Sequence, residues 1–173
     1  GIVDLHSHIA LSGINEFAES VTCEVRQSDV VNHTAQSIHR ALAGGVTTVH
    51  AMHGSANTIG GQNAVLKLKY NTSPSEMLIT TGPRIVKFAL GENVTRARPI
   101  PRFPNSRMGV ESVIRHAFTA GLKYQDEWRT YRSHGGEIPR RDLRLEALGE
   151  ILNGEIWIQS HCYRGDEMVR LLD

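Results

Sequence analysis

Cysteine, aromatic residues and long apolar runs are all scarce in this chain. Its 173 residues include two cysteines and 6% aromatic residues. Two cysteines form at most one bridge, which excludes a disulfide framework and a four-cysteine metal knuckle. No apolar run approaches the roughly 20 residues of a membrane span, and no basic segment precedes an apolar one at the N-terminus. We therefore expect neither a transmembrane segment nor a signal peptide here, and the compartment stays unknown.

An excess of charge of either sign is also missing. Lys and Arg total 19 against 18 Asp and Glu, so the charge balance favours neither a nucleic acid nor a membrane surface as partner. A hydrophobic content of 40% and this length are typical of one domain with a sizeable core. Charge alone names no ligand.

Both ends of the chain lie inside predicted elements. Residues 1–5 form an apolar, strand-like run, and residues 167–173 form a helix-like run without capping residues. We therefore expect residues 1–173 to be one incomplete domain cut from a longer protein. The open edge of an incomplete sheet favours self-association into a homo-oligomer.

Strand-like and helix-like segments alternate between these ends. The predicted strands are 2–5, 46–52, 77–80, 84–90 and 155–160, and the predicted helices are 29–43, 110–131 and 141–153. Residues 54–62 are predicted to be a loop, residues 63–69 are ambiguous, and about 95–140 is an inserted loop and helical region. The alternation predicts α/β structure with parallel strands, either in a barrel or in an open doubly wound sheet.

Side chains able to bind a metal follow the predicted strands at their C-terminal ends. They are His6 and His8, then His50 and His53, then Lys87, then His161. Parallel strands bring these ends to one face, where α/β proteins build their sites. The spacing of two directs both His6 and His8 to one side of a strand. An isolated pair of this kind is more often ordinary surface, but its agreement with the other strand ends favours a metal site.

Lys87 lies in an apolar strand, where a charged ammonium is costly to bury. One explanation is carbamylation by carbon dioxide, which converts the amine into an anionic, carboxylate-like ligand able to bridge two metals. The alternatives are that the ammonium reaches solvent or pairs with Glu92.

Five segments together resemble the amidohydrolase superfamily. Residues 1–8 (GIVDLHSH) resemble its first strand, residues 43–49 (AGGVTTV) its second and residues 159–162 (QSHC) its fifth. Residues 53–62 (HGSANTIGGQ) and 87–93 (KFALGEN) resemble its imidazolonepropionase-like and prolidase-like branch. The resemblance implies a partial (β/α)8 TIM barrel with roughly the first five strands, lacking the N-terminal β-sandwich and the last strands.

The same resemblance implies a metal-dependent hydrolase that takes a small-molecule amide or peptide-like substrate and cleaves amide, cyclic amide or peptide-like C–N bonds through a metal-activated water. His6 and His8 would bind one divalent ion, His161 a second, and carbamylated Lys87 would bridge them. Zinc suits these ligands, although manganese, iron, cobalt and nickel also accept them. The general-base aspartate is expected beyond Asp173, so we expect this segment alone to be inactive.

Residues of the glycine-rich loop are candidates for contact with a substrate. His53, Asn57 and Gln62 would lie beside the metals, and glycines there allow close backbone approach to a ligand. An ordinary role in shaping the loop is an equal alternative for all three.

Two other functions are compatible with parts of the sequence. A PHP-type metal-dependent phosphoesterase shares a strand ending in DLHSH, but it would give Lys87 no role, and residues 9–15 contain no carboxylate. A non-catalytic module binding an anion or a nucleic acid would use the arginines of the insertion, namely Arg96, Arg98, Arg102 and Arg107.

Overall fold

Two three-stranded sheets carry the fold in the computed structural model, which describes residues 1–96 and 102–173. The strands are β1 (Ile2–Ser7), β2 (Val46–Ala51), β3 (Ile59–Gln62), β4 (Ala64–Lys67), β5 (Arg84–Ala89) and β6 (Ile156–His161). One sheet has the order β1-β2-β4 and the other β3-β5-β6. β1 is parallel to β2 and β5 to β6, whereas β4 and β3 run antiparallel to their neighbours.

Helices connect the strands. After a short 3-10 turn at Gln27–Val30 come α1 (Gln36–Ala43), α2 (Pro74–Met77), α3 (Glu92–Arg96), α4 (Arg107–His134), α5 (Leu143–Leu152) and α6 (Gly165–Leu172). The Ser106 hydroxyl caps α4, and the Asp142 carboxylate accepts two backbone N–H bonds at the start of α5. Such caps satisfy N–H groups that the first turn of a helix leaves unbonded. In the described residues, no helix is both long and apolar enough to cross a membrane.

Each sheet has its own apolar core. Beneath the first sheet, Ile38 of α1 packs with strand residues Val49 and Leu66. Beneath the second, Phe88 and Ile156 pack with Leu148 of α5. The mixed α/β class is therefore confirmed. The described strands form two separate sheets and not one continuous sheet, so the partial barrel stays a proposal.

Asn63 lies where the chain leaves one sheet and enters the other. Its backbone N–H donates to the Ile85 carbonyl at 2.7 Å, and its side-chain oxygen accepts from the His53 N–H at 3.2 Å. Its side-chain nitrogen donates to Gln159 on β6 at 3.3 Å. One side chain therefore connects the end of β2 with the middle of β6.

Three predicted elements differ from the structure. The predicted strand 77–80 is reduced to an isolated bridge between Leu78 and Leu66 of β4, because the short helix α2, which begins at a capping box of Ser73 and Glu76, includes Met77. The helix predicted for 29–43 begins only at Gln36, because Val31 is extended and forms a bridge with Leu11. The predicted loop 54–62 contains β3, and the ambiguous segment 63–69 contains β4.

Candidate functional site

The rings of His6 and His8 lie together at the end of β1. Their centroids are 5.4 Å apart and the planes are nearly perpendicular. Nδ1 of His8 lies 2.8 Å from the Met52 carbonyl, an acceptor, so this nitrogen carries the proton and donates. Nε2 of His8 is the nitrogen left to bind a metal, as in metal-binding histidines whose other nitrogen is held by a carbonyl.

Lys87 is buried in the middle of the second sheet. Its side chain is 2% exposed, so the ammonium does not reach solvent. Burial lowers the pKa of Lys87 and favours the neutral amine. No acidic side chain in residues 1–96 or 102–173 pairs with it. Glu92, the partner considered from the sequence, binds Arg107 instead.

His161 ends β6, where it lies in register with Ala89 of β5. Its Nε2 atom is buried and has no hydrogen-bond partner within the described ranges. Burial lowers the pKa of His161, the positive charge of Lys87 lowers it further, and Glu167 and Glu92 oppose this change. Partial burial and Lys87 likewise lower the pKa of His6. Lys87 therefore lowers the pKa of one histidine on each sheet.

His50 is a buried residue that sequence reasoning placed at a strand end without giving it a role. It is 9% exposed, and its Nε2 is buried without a hydrogen-bond partner in the part of the chain described. Burial lowers its pKa, a hydrogen bond to the Leu5 backbone raises it, and the charges of Lys87 and His6 lower it. Burial and these charges thus favour the neutral form of His50, which lies at the same strand ends as the other groups.

Both ring nitrogens of His53 are hydrogen-bonded to backbone groups of the protein. Nδ1 donates to the Gly54 carbonyl at 2.9 Å, and Nε2 accepts from the Glu16 N–H at 3.0 Å. Cβ atoms added at Gly60 and Gly61 would lie 2.7 Å and 3.0 Å from this ring, which explains why glycine occupies both positions. The geometry gives His53 a structural role in the loop, and its contact with substrate stays a prediction.

Asn57 and Gln62 also bind the long loop that follows β1. The Asn57 amide nitrogen donates to the Glu19 carbonyl at 2.8 Å and to the Thr22 hydroxyl at 3.1 Å. Gln62 donates to the Cys23 carbonyl at 2.9 Å. Both side chains are buried. Oδ1 of Asn57 is buried without a described partner, and the substrate contacts of both residues stay predictions.

The described arginines of the insertion have partners within the protein. The guanidinium of Arg102 donates to the carbonyls of Phe17, Glu19 and Ala56, and Arg107 binds two carboxylates. Arg98 and the side chain of Arg96 lie outside the described residues. These contacts give the anion-binding alternative no support from Arg102 or Arg107.

Some of the strand-end side chains have the donor chemistry that a divalent cation requires. Within residues 1–96 and 102–173, no three His, Cys, Asp or Glu side chains already converge as a metal site. The available donors are instead the free Nε2 of His8, the unbonded buried Nε2 of His161 and the buried amine of Lys87. Imidazole nitrogens are ligands for zinc and related ions, so these residues suit a metal if Lys87 supplies an anionic ligand.

Comparisons with known proteins find two proteins named amidohydrolases that are similar to this mixed α/β chain. The chain is 30% identical over 200 residues to amidohydrolase tasK of Hapsidospora irregularis, covering 100% of this chain and 20% of that protein. It is 34% identical to an amidohydrolase from Thermotoga maritima of known crystal structure, with a TM-score of 0.89, covering 99% of this chain and 47% of the other. No protein-family model matches.

This chain therefore spans about a fifth of one relative and about half of the other. Neither relative distinguishes a branch of the family.

Proposed function

We propose that this chain forms the first metal-binding part of a hydrolase that cleaves amide, cyclic amide or peptide-like C–N bonds. The parent fold would be a (β/α)8 barrel of the imidazolonepropionase-like and prolidase-like branch. The surroundings of Lys87 carry the proposal. Its side chain is buried and has no acidic partner among the described residues. Its positive charge lowers the pKa of His6 on one sheet and of His161 on the other.

Lys87 has the chemistry required of a carbamate ligand. A neutral amine attacks carbon dioxide, an N–C bond forms, and a proton leaves, so the product is an anionic carbamate with two oxygen donors. Burial supports this step because it lowers the pKa of Lys87 and favours the neutral amine. The resulting negative charge would also attract a divalent cation, which the ammonium form of Lys87 would repel.

The family resemblance supplies the other ligands of the proposed site. His6 and His8 would hold one divalent ion, His161 a second, and the Lys87 carbamate would bridge them. The Met52 carbonyl orients His8 by accepting its Nδ1 proton. When bound, zinc or a similar ion lowers the pKa of water to about 7 and polarises the scissile carbonyl.

The remaining steps concern residues inside and outside this chain. His53, Asn57 and Gln62 hold the loop that follows β1, and an amide or peptide-like substrate would contact the same three residues. The family resemblance places the general-base aspartate after Asp173, so the whole protein, not this segment, would carry the activity. A C–N bond is preferred over a phosphate ester because both relatives are named amidohydrolases.

Metal analysis of the purified protein tests this proposal. We expect one or two equivalents of zinc in the wild type and a large loss in His6→Ala/His8→Ala. His116→Ala/His134→Ala is the matched control, since both histidines are exposed on α4, and its metal content should equal that of the wild type. Equally little divalent metal in all three proteins would refute the proposal.

Two further measurements test the carbamate and the bond type. With ¹³C-bicarbonate and zinc, the wild type should give a carbamate carbon signal that Lys87→Met lacks. The complete protein should hydrolyse dipeptides or cyclic amides and leave phosphomonoesters intact. Hydrolysis of the phosphomonoesters alone would favour the PHP-type alternative.

A further inference from the structure

Arg107 connects two segments that leave the strand ends of the second sheet. Its Nε donates to Oε1 of Glu167 at 2.5 Å, and its Nη2 lies 2.6 Å from Oε2 of Glu92. Glu92 begins α3, which follows β5 and Lys87, and Glu167 lies in α6, which follows β6 and His161. A residue at the start of α4 thus bridges the segments after both proposed ligands.

The two segments touch each other closely at this point. Gly91 has φ +67°, and a Cβ atom there would lie 2.7 Å from a carboxylate oxygen of Glu167. The backbone N–H of Leu90 donates to the His161 carbonyl at 2.9 Å. The contact therefore requires glycine both for its backbone angle and for the space that the carboxylate fills.

The carboxylate of Glu167 depends on Arg107 for its charge balance. Glu167 is 8% exposed, and its Oε2 is buried without a hydrogen-bond partner in the described ranges. A buried charge that loses its partner is strongly destabilising, whereas an exposed pair contributes little. The ion pair with Arg107 therefore holds the Glu167 carboxylate at its place beside Gly91.

We propose that Arg107 is a positioning residue of the metal centre, bridging Glu92 and Glu167 and so holding together the segments that follow Lys87 and His161. This inference rests on the proposed function for the metal itself. The bridge between the two segments stands on the observed contacts. The charges of both carboxylates also raise the pKa of His161, so the contacts of Arg107 with Glu92 and Glu167 lie near that ligand.

Cobalt binding to the purified protein tests the inference, with four variants compared. Arg107→Ala removes the bridge, Arg107→Lys keeps one charge, and Glu167→Gln keeps the shape of the acceptor. Arg141→Ala is the matched control, because Arg141 pairs with Glu146 on the exposed side of α5. The readouts are the Kd for Co²⁺ by equilibrium dialysis and the visible absorption of the bound ion.

Arg107→Ala should weaken Co²⁺ binding by about 10–100-fold, the usual effect of losing a residue that orients a ligand, and should change the absorption spectrum. Arg107→Lys and Glu167→Gln should recover part of both, and Arg141→Ala should match the wild type. A folded Arg107→Ala protein with the wild-type Kd and spectrum would overturn the inference. If Arg107→Ala does not fold, unchanged Kd and spectra in Arg107→Lys and Glu167→Gln would overturn it.

Hydrogen exchange in the metal-free protein separates this inference from the proposed function. Arg107→Ala should speed amide exchange in residues 89–92 and 161–167 and leave β1 unchanged. A wild type that binds no Co²⁺ would refute the proposed metal function, and the exchange data would still report on the bridge. Unchanged exchange in both segments would show that Arg107 does not hold them together.

Discussion

Replacing Lys87 by methionine should stabilise the metal-free protein while removing its ability to be stabilised by metal. Methionine keeps the unbranched chain of lysine and fills a similar volume, a type of exchange that costs less than about 1.5 kcal/mol. A polar group buried without a partner costs about 1–3 kcal/mol by mutational measurements, and Lys87 is 2% exposed with no acidic partner in the described residues. We expect a net gain of about 1–2 kcal/mol in the free energy of unfolding.

Urea unfolding at pH 7, in buffer depleted of carbon dioxide and treated with a chelator, measures this gain. A thermal melt should show a rise of about 2–4 °C per kcal/mol for a chain of this size. Bicarbonate and zinc should then reverse the order, because a ligand at 100 times its Kd stabilises the folded state by about 2.7 kcal/mol. The wild type should gain this stability, and Lys87→Met should not.

Lys67→Met is the control for the first measurement, because Lys67 is exposed on β4. Its stability should change by less than about 0.5 kcal/mol. A loss of stability in metal-free Lys87→Met would mean that the amine has a stabilising partner, and the argument for an unmatched buried lysine would then be wrong.

Two other predictions concern polar groups away from Lys87. Hydrogen bonds from Thr72 and Ser73 lower the pKa of Glu76 to about 2, below its unfolded value. The stability advantage of the wild type over Glu76→Gln should therefore be complete above about pH 4.5, decline as the pH falls and vanish near pH 2. Thermal melts of both proteins at each pH measure this advantage, and a difference in melting temperature that stays constant with pH would contradict the prediction. Asn57→Ala should lower the free energy of unfolding in urea titrations by about 1–3 kcal/mol, because the buried Asn57 amide is hydrogen-bonded to the loop after β1. Asn105 is exposed, and Asn105→Ala should change the free energy of unfolding by less than about 0.5 kcal/mol. Equal effects of the two substitutions would show that Asn57 does not stabilise this loop.

Local sequence signals predicted the elements that carry the candidate site. The β-branched, apolar runs before His50 and through Lys87 form β2 and β5 within one residue of their predicted ends. The mixed α/β class follows from the same alternation of strands and helices. These elements were predictable because their signals lie within a few neighbouring residues.

Long-range contacts explain what the sequence did not predict. β3 contains Gly60 and Gly61, residues that weaken a strand by propensity, and it forms because those glycines allow the chain to pass close to His53. The role of Arg107 could not be predicted from its neighbours in sequence, because its partner Glu167 lies 60 residues later, in α6. The same limit applies to Asn57, whose partners lie 35 or more residues away.

The proposed ligands are divided between the two sheets, and this division has a thermodynamic consequence. His6 and His8 belong to β1 and the residue after it, whereas Lys87 and His161 belong to β5 and β6. The described links between the sheets include the passage at Asn63 and its bond to Gln159. A metal held by both groups would join the sheets, and its binding free energy would add to their association. Loss of a ligand on either sheet should therefore weaken both metal binding and the joining of the sheets.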